Sequence, residues 1–347
     1  MKIGITSDWH FCQFSSIVRG IGKNTSVRLE HLVDSINWAE NLFKQYDCYA
    51  HICLGDAFDK SYLNAEEISA LNSIKWSNIY HYFLVGNHEM ATNDLRKNSA
   101  NLFDMLPNCT VISHPTMLFE NIFVLPYILE SNRKPLAEYL GIFGKPRLIL
   151  SHNDIKGIQF GSFISKEGFS IEEIKENCGL FLNGHLHNMG QFSENGWNVG
   201  NLCGQNFNED AMNYSHCAWV LDTDTGEIQT FENPYALNFY KIDFSEDNSI
   251  EHINEVSEKL KKNAVCTIKC LEEDYDYINA RFGKKENDLI PKNTKILESR
   301  ILVERVTEEK NSIETLQVDH LSQFDKFVKE NIGTSETILS ELKEVLA

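Results

Sequence analysis

Five short polar clusters, each directly after an apolar run, constrain this chain more than any other feature. They are Asp8-Trp9-His10, Gly55-Asp56-Ala57-Phe58-Asp59, Gly86-Asn87-His88-Glu89, Ser151-His152-Asn153 and Gly184-His185-Leu186-His187. The runs before them read as strands: Lys2–Thr6, Tyr49–Leu54, Tyr80–Val85, Arg147–Leu150 and Leu180–Asn183, with another at Ile122–Leu125. Between the first two, Leu29, Leu32, Val33, Ile36 and Ala39/Glu40 recur at helical spacing. Strands alternating with helices predict an α/β core. In open sheets of that kind, ligands collect at the carboxyl ends of the strands. Five polar clusters at five strand ends should therefore converge. Glycines ahead of Asp56, Asn87 and His185 suit tight turns there.

The donor types in the clusters select a ligand chemistry. Carboxylates, one amide oxygen and imidazoles favour Mn, Fe or Zn over thiolate-bound metals. The two-residue spacing of Asp8 with His10, and of His185 with His187, is expected to put both side chains on one side of an extended segment. Singly, each residue has a plainer reading: Asp8 as a helix cap, Asp56 or Asn87 as a turn residue, His152 as a hydrogen-bonded histidine. Together they point to a dinuclear centre, in which metals about 3.5–4 Å apart bind a phosphate and activate water for in-line attack. The nine cysteines include no Cys-x-x-Cys pair and read as buried free thiols, not as a disulfide framework or a zinc site.

A chain of 347 residues predicts about two domains. A hairpin, Cys217–Asp222 with Ile228–Phe231, closes the first at residues 1–235. Residues 236–306 read as a small α/β unit, with strands Phe239–Phe244, Ala264–Leu271 and Lys295–Val306 and a helix Ile250–Lys262. Residues 307–347 combine a charged linker, Thr307–Glu314, with two amphipathic helices, Leu316–Asn331 and one starting near Thr334 or Ser335. No apolar stretch reaches membrane length and no secretory leader is read at Met1, which predicts a cytoplasmic protein. The net charge of −18 opposes a polyanionic partner unless metals or local cations reverse the field.

The five clusters together form the signature of the calcineurin-like metallophosphoesterases, which about the first two thirds of the chain resembles. The resemblance implies a four-layer αββα sandwich. It places Asp8, His10 and His187 on one metal, Asn87, His152 and His185 on the other, and Asp56 between them. The metals implied are two Mn²⁺, with Mg²⁺ or another divalent ion as the alternative. His88 matches the family histidine that contacts the phosphate and protonates the leaving oxygen, a role worth roughly 10²–10⁴-fold. Asp59 matches the carboxylate that orients this histidine in phosphatase members, where many recombination nucleases carry histidine.

Within that family the chain is most similar to the nuclease subunit of SbcCD-type recombination complexes, the T-even phage exonuclease subunit in particular. This implies a DNA exonuclease and endonuclease. It makes 236–306 a DNA-capping domain and the C-terminal helices the docking segment for an SbcC-like ABC-type ATPase. It also implies a homodimer, with Leu95, Leu102, Phe103 and Met105 in Asp94–Met105 as candidate contacts, although the same residues equally suit a core helix. Lys259, Lys261, Lys262, Arg281, Lys284 and Lys285 are the candidate DNA-phosphate contacts. Val199-Gly200-Asn201-Leu202 falls where the family has a Gly-Ser loop, and its asparagine is a departure. Two other classes stay open: a small-molecule phosphodiesterase or nucleotidase, and an interaction module that keeps the fold without catalysis.

Overall fold

The computed structural model describes residues 1–304 apart from 16, 19, 161–162, 210 and 284–294. The expected tail helices and the candidate contacts Lys284 and Lys285 lie outside the described residues. Two six-stranded sheets face one another. In the first, the order is β14 (Ile228–Glu232), β13 (Cys217–Asp222), β1 (Lys2–Thr6), β2 (Ala50–Cys53), β3 (Tyr80–Leu84) and β4 (Cys109–Ile112). In the second it is β11 (Gly190–Ser193), β12 (Gly196–Asn198), β10 (Leu180–Asn183), β7 (Leu148–Ser151), β6 (Ile122–Leu125) and β5 (Thr116–Phe119). The central strands of both sheets run parallel, so their carboxyl ends lie on one edge of the sandwich. A small hairpin, β8 (Gln159–Phe160) with β9 (Phe163–Ile164), lies apart.

Strand alternation builds the layers. Ile3, Ile5, Ile52 and Leu84 from the first sheet meet Val124, Leu148, Leu150 and Leu182 from the second in a closed apolar core. The opposite face of the first sheet packs on α1 (Val27–Gln45), whose Leu29, Leu32, Ile36, Ala39 and Phe43 form the buried stripe. Ser26 starts that helix by accepting from the Leu29 amide. The outer face of the second sheet, Phe123, Ile149 and Phe181, is covered by α3 (Leu136–Leu140) and α4 (Ile171–Asn177). The result is the expected helix–sheet–sheet–helix sandwich, with α2 (Ala65–Asn72) beside α1.

A third, parallel sheet follows: β15 (Asn238–Asp243), β16 (Ala264–Leu271) and β17 (Ile296–Glu304). One face carries α5 (Ile250–Lys259) and α6 (Tyr275–Phe282) over its own core of Tyr240, Ile242, Ile253, Ile268 and Phe282. Phe239 and Val265, on the other face, join the α1 core of the sandwich. The 99–105 segment differs from the expectation for a dimer surface. Phe103 is fully buried and stacks on Phe83 at 3.7 Å and Phe58 at 4.9 Å, so it is a core residue. Leu102 and Met105 beside it are exposed. All nine cysteines are free, eight of them buried. Among the described residues, no helix is long and apolar enough to cross a membrane.

Candidate metal centre

The strand ends bring the clusters into one place by running their loops side by side. The Asp8 amide donates to the Gly55 carbonyl at 3.0 Å, and the His10 amide to the Asp56 carbonyl at 2.9 Å. The His88 amide donates to Asp56 Oδ1 at 2.9 Å, and the His185 amide to Asp8 Oδ2 at 3.0 Å. The side chains do not converge through an extended segment, as the two-residue spacing suggested. Asp8, His10, Asp56 and His185 all adopt left-handed backbone, with φ of 51°, 46°, 48° and 71°. Such conformations in residues other than glycine cost energy and cluster at functional sites.

The glycines are there for room more than for turns. Only Gly55, at φ 121°, uses a conformation closed to other residues. A side-chain carbon on Gly86 would collide with Asp56, and one on Gly184 with Ser7 and the His152 ring.

Asp8, His10 and His187 converge at one point, and Asp56, His152 and His185 at the next, while His88 joins His10 and Asp56 in a third group that overlaps both. Asn87 Oδ1 lies 3.3 Å from His152 Nε2. Asp56 Oδ2 sits between the groups, 3.1 Å from His152 Nε2 and 3.8 Å from His10 Nε2. His10 and His187 each use Nδ1 on a carboxylate, Asp59 and Glu209, both at 3.0 Å. Their Nε2 atoms therefore face one another, 3.1 Å apart. Two imidazole lone pairs cannot share that space without a positive charge between them. Asp8 Oδ1, buried beside them, has no hydrogen-bond partner.

The carboxylates pull positive charge into this pocket. Burial alone would raise Asp8, but His152 and His10 hold it at about 2. Burial works against a charged His10, yet Asp59, Asp8 and Asp56 bring it up to about 10. Burial likewise opposes His152, which Asp56 and Asp8 raise to about 9. A metal cation meets this demand without protons, and oxygen with imidazole is the donor set that Mn, Fe or Zn takes. The residues fit a pair of divalent ions.

His88 lies at the mouth with its side chain 42% exposed. Its Nδ1 donates to the backbone carbonyl of Asp59 at 3.1 Å, and its ring stands 4.6 Å from that of His10. Asp59 thus differs from the expected dyad. Its carboxylate serves His10 at 3.0 Å and stands 3.6 Å from His88 Nδ1, holding His88 chiefly through the main chain.

Several residues support these side chains in ways the sequence reading did not assign. Glu209 holds His187 and also accepts from Asn201 Nδ2 at 2.9 Å and the Gln205 amide. Asn201 Oδ1 in turn lies 2.6 Å from His216 Nδ1. The departure from the Gly-Ser loop thereby ties that loop to His187 through Glu209. Asp154 lies 3.1 Å from His185 Nε2. Glu89 is buried and accepts from the amides of Gly86, Asp56 and Phe58, locking two of the loops together. Burial and the Asp56 charge push its carboxyl up to about 8. Glu89 closes a cluster already singled out and Asp154 adjoins another; Glu209 carried no local signal.

A cleft of about 750 Å³ opens from His185 and His187, lined further by Gln191, Asn208, Tyr214 and, on β15, Lys241. The described candidate DNA contacts, Lys259, Lys261, Lys262 and Arg281, do not line this cleft. Lys259 pairs with Glu255 at 2.6 Å, Lys261 with Glu232 at 3.3 Å, and Arg281 lies on the Tyr277 ring. Lys262 is exposed.

A sequence profile described as calcineurin-like phosphoesterase matches residues 1–219. No curated protein matches the sequence. Among solved structures, the chain is similar to an archaeal phosphodiesterase, at 14% identity over 67% of this chain and 99% of that one, with a TM-score of 0.35. It is also similar to a dimetal phosphatase from Danio rerio, at 12% identity over 67% and 98% of the two chains, with a TM-score of 0.35.

Proposed function

The chain belongs to the calcineurin-like phosphoesterases, and from that premise we propose that it is a two-metal phosphodiesterase acting on DNA. The observation that carries the phosphodiester chemistry is the paired donor set with Asp56 between its halves and Asp8 Oδ1 unpartnered. Asp8, His10 and His187 would hold one ion, and Asn87, His152 and His185 the other, with Mn²⁺ the metal proposed. Bound there, the ions supply Lewis-acid activation of the phosphoryl group and of water. His88 keeps its Nδ1 proton on the Asp59 carbonyl, which leaves Nε2 to carry a proton to the leaving oxygen.

DNA as the substrate rests on the resemblance of the chain's layout to the nuclease subunit of SbcCD-type complexes. The third sheet, standing after the sandwich and lending Lys241 to the cleft, supports it. A homodimer and docking of residues 307–347 on an ABC-type ATPase belong to the same proposal. Purified protein with Mn²⁺ should cleave linear DNA, and EDTA should abolish the cleavage. Truncation after Val306 should leave that activity and remove co-purification with the ATPase. If the truncated protein lost its intrinsic activity, the tail would belong to the enzyme's own fold.

A second reading, a small-molecule phosphodiesterase or nucleotidase, is favoured by one observation. The cleft lining is mostly uncharged, and the described lysines proposed for DNA are largely engaged with neighbouring acids. Hydrolysis of bis(p-nitrophenyl) phosphate or a nucleotide, with linear DNA left intact, would select it.

A further inference from the structure

Beneath the metal loops lies a polar group that the proposed chemistry does not use. Glu40 on α1, His51 on β2 and His81 on β3 are almost fully buried. His51 pairs in register with Gly4 and with His81, so all of these face α1 across three adjacent strands. Thr6, two residues beyond Gly4 on the same face, is buried with them.

The Glu40 carboxylate, which only accepts, orders the donors from the far end of the chain. Trp9 Nε1 can only donate, and it donates to Thr6 Oγ1 at 2.9 Å. Thr6 Oγ1 lies 2.8 Å from His51 Nε2. Glu40 Oε1 accepts from His51 Nδ1 at 2.7 Å, so in the neutral ring Nε2 is the acceptor that Thr6 Oγ1 faces. Glu40 closes the chain as an acceptor. It takes His81 Nε2 at 3.1 Å from each oxygen and both the amide and the hydroxyl of Ser77. Burial opposes a charged Glu40, but His51 and His81 outweigh it and hold the carboxyl well below its usual range. Burial keeps His51 below its own ordinary value, in keeping with a neutral ring.

We propose that Thr6, His51 and Glu40 are positioning residues for the metal centre: their buried chain anchors the Trp9 indole and thereby sets the Asp8–His10 turn. Trp9 stands between two left-handed residues that face the metals, so the rotation of its side chain and the direction of Asp8 and His10 are coupled. The indole is otherwise held only by packing, edge-on to Phe83 and Phe103 at 5.7 and 6.3 Å. Packing alone fixes a ring less sharply than a directed hydrogen bond. Stability gives a poor account of the chain, because a buried ion or polar network is commonly matched by apolar residues of similar volume. The neighbouring surface of α1 is indeed built from Leu29, Ile36 and Phe43.

The proposal rests on the reading of Asp8, His10 and His187 as metal ligands, and the test separates the two. Mn²⁺ titration of the metal-free full chain by calorimetry gives two affinities, and melting of the metal-free protein gives a structural control. In Thr6→Val, which keeps shape and loses the hydroxyl, one affinity should weaken about tenfold while the other holds. Thr6→Ser should restore it. Glu40→Gln should show the same one-sided loss, and serves if Thr6→Val folds poorly. Wild-type affinities in both Thr6→Val and Glu40→Gln overturn the proposal. So does an equal weakening of both ions with a lowered metal-free melting temperature, which a merely structural role predicts. A third tight metal per wild-type chain, lost in Glu40→Gln, also overturns it and makes Glu40, His51 and His81 an enclosed metal site. If the wild-type chain binds no metal at Asp8, His10 and His187, the underlying reading fails and the proposal falls with it.

Discussion

Asp59 brings its carboxylate to His10 Nδ1 at 3.0 Å and holds His88 chiefly through its main-chain oxygen, and this division predicts two separable phenotypes. Asp59→Asn should weaken Mn²⁺ binding by about 10–100-fold, because it loosens the orientation of a proposed metal ligand, the His10 imidazole. Saturating metal should then restore much of the rate. His88→Asn should keep both metals and lower the rate by about 10²–10⁴-fold at any metal concentration. Metal titration combined with single-turnover rates reads both. If Asp59→Asn bound metal like wild type and lost rate as His88→Asn does, the carboxylate would act through His88 after all. Glu209 stands to His187 as Asp59 stands to His10, but it is buried and also holds Asn201 and the Gln205 amide. The seven proposed ligands were legible at this scale because each is a strong donor placed just after an apolar run. Their partners were not, since a hydrogen bond such as His187 to Glu209 joins loops that share no pattern.

Between elements, the loops after β2 and β3 touch so closely that Gly86 has no space for a side chain against Asp56. Gly86→Ala must push these loops apart, and forcing extra volume into a packed site costs about 1–3 kcal/mol. The variant should melt lower than wild type and hold fewer than two Mn²⁺ per chain, measured by thermal unfolding and elemental analysis. A fully loaded variant with an unchanged melt would mean that the two loops are not in contact in solution. Long or strongly patterned elements were readable in advance. Strands β1, β6, β10, β13 and β16 take the expected bounds, and α1 follows its apolar stripe. The short ones were missed: α2, α4, α6, β4, β5, β11 and β12 each have too few residues for periodicity to register. Helices of that length persist only by packing on a neighbour. Helix α5 stops at Lys259, short of the expected Lys262, because Leu260 turns to extended backbone.

For the molecule as a whole, burial governs the thiols. It pushes Cys109, Cys178, Cys217 and Cys266 to about 12, and Cys12 and Cys48 to about 11. The thiolate is the reactive form, so a raised value lowers reactivity at every pH below it. Native protein at pH 8 should react slowly with a thiol-specific disulfide reagent, and protein in guanidinium should titrate all nine cysteines. Rapid reaction of several thiols in the native state would show that the cores in which they lie open readily. The sequence by itself determined the α/β class, which strand ends carry the site and the identity of the proposed ligands. These follow from local pattern, in which apolar alternation makes a strand and a polar cluster at its end has one direction to face. Only the tertiary structure decided that Asp59 serves His10, that Glu209 and Asp154 steady His187 and His185, that Phe103 is core, and that left-handed backbone aims Asp8 and His10. Those outcomes depend on distances between segments far apart in the chain, which packing alone sets.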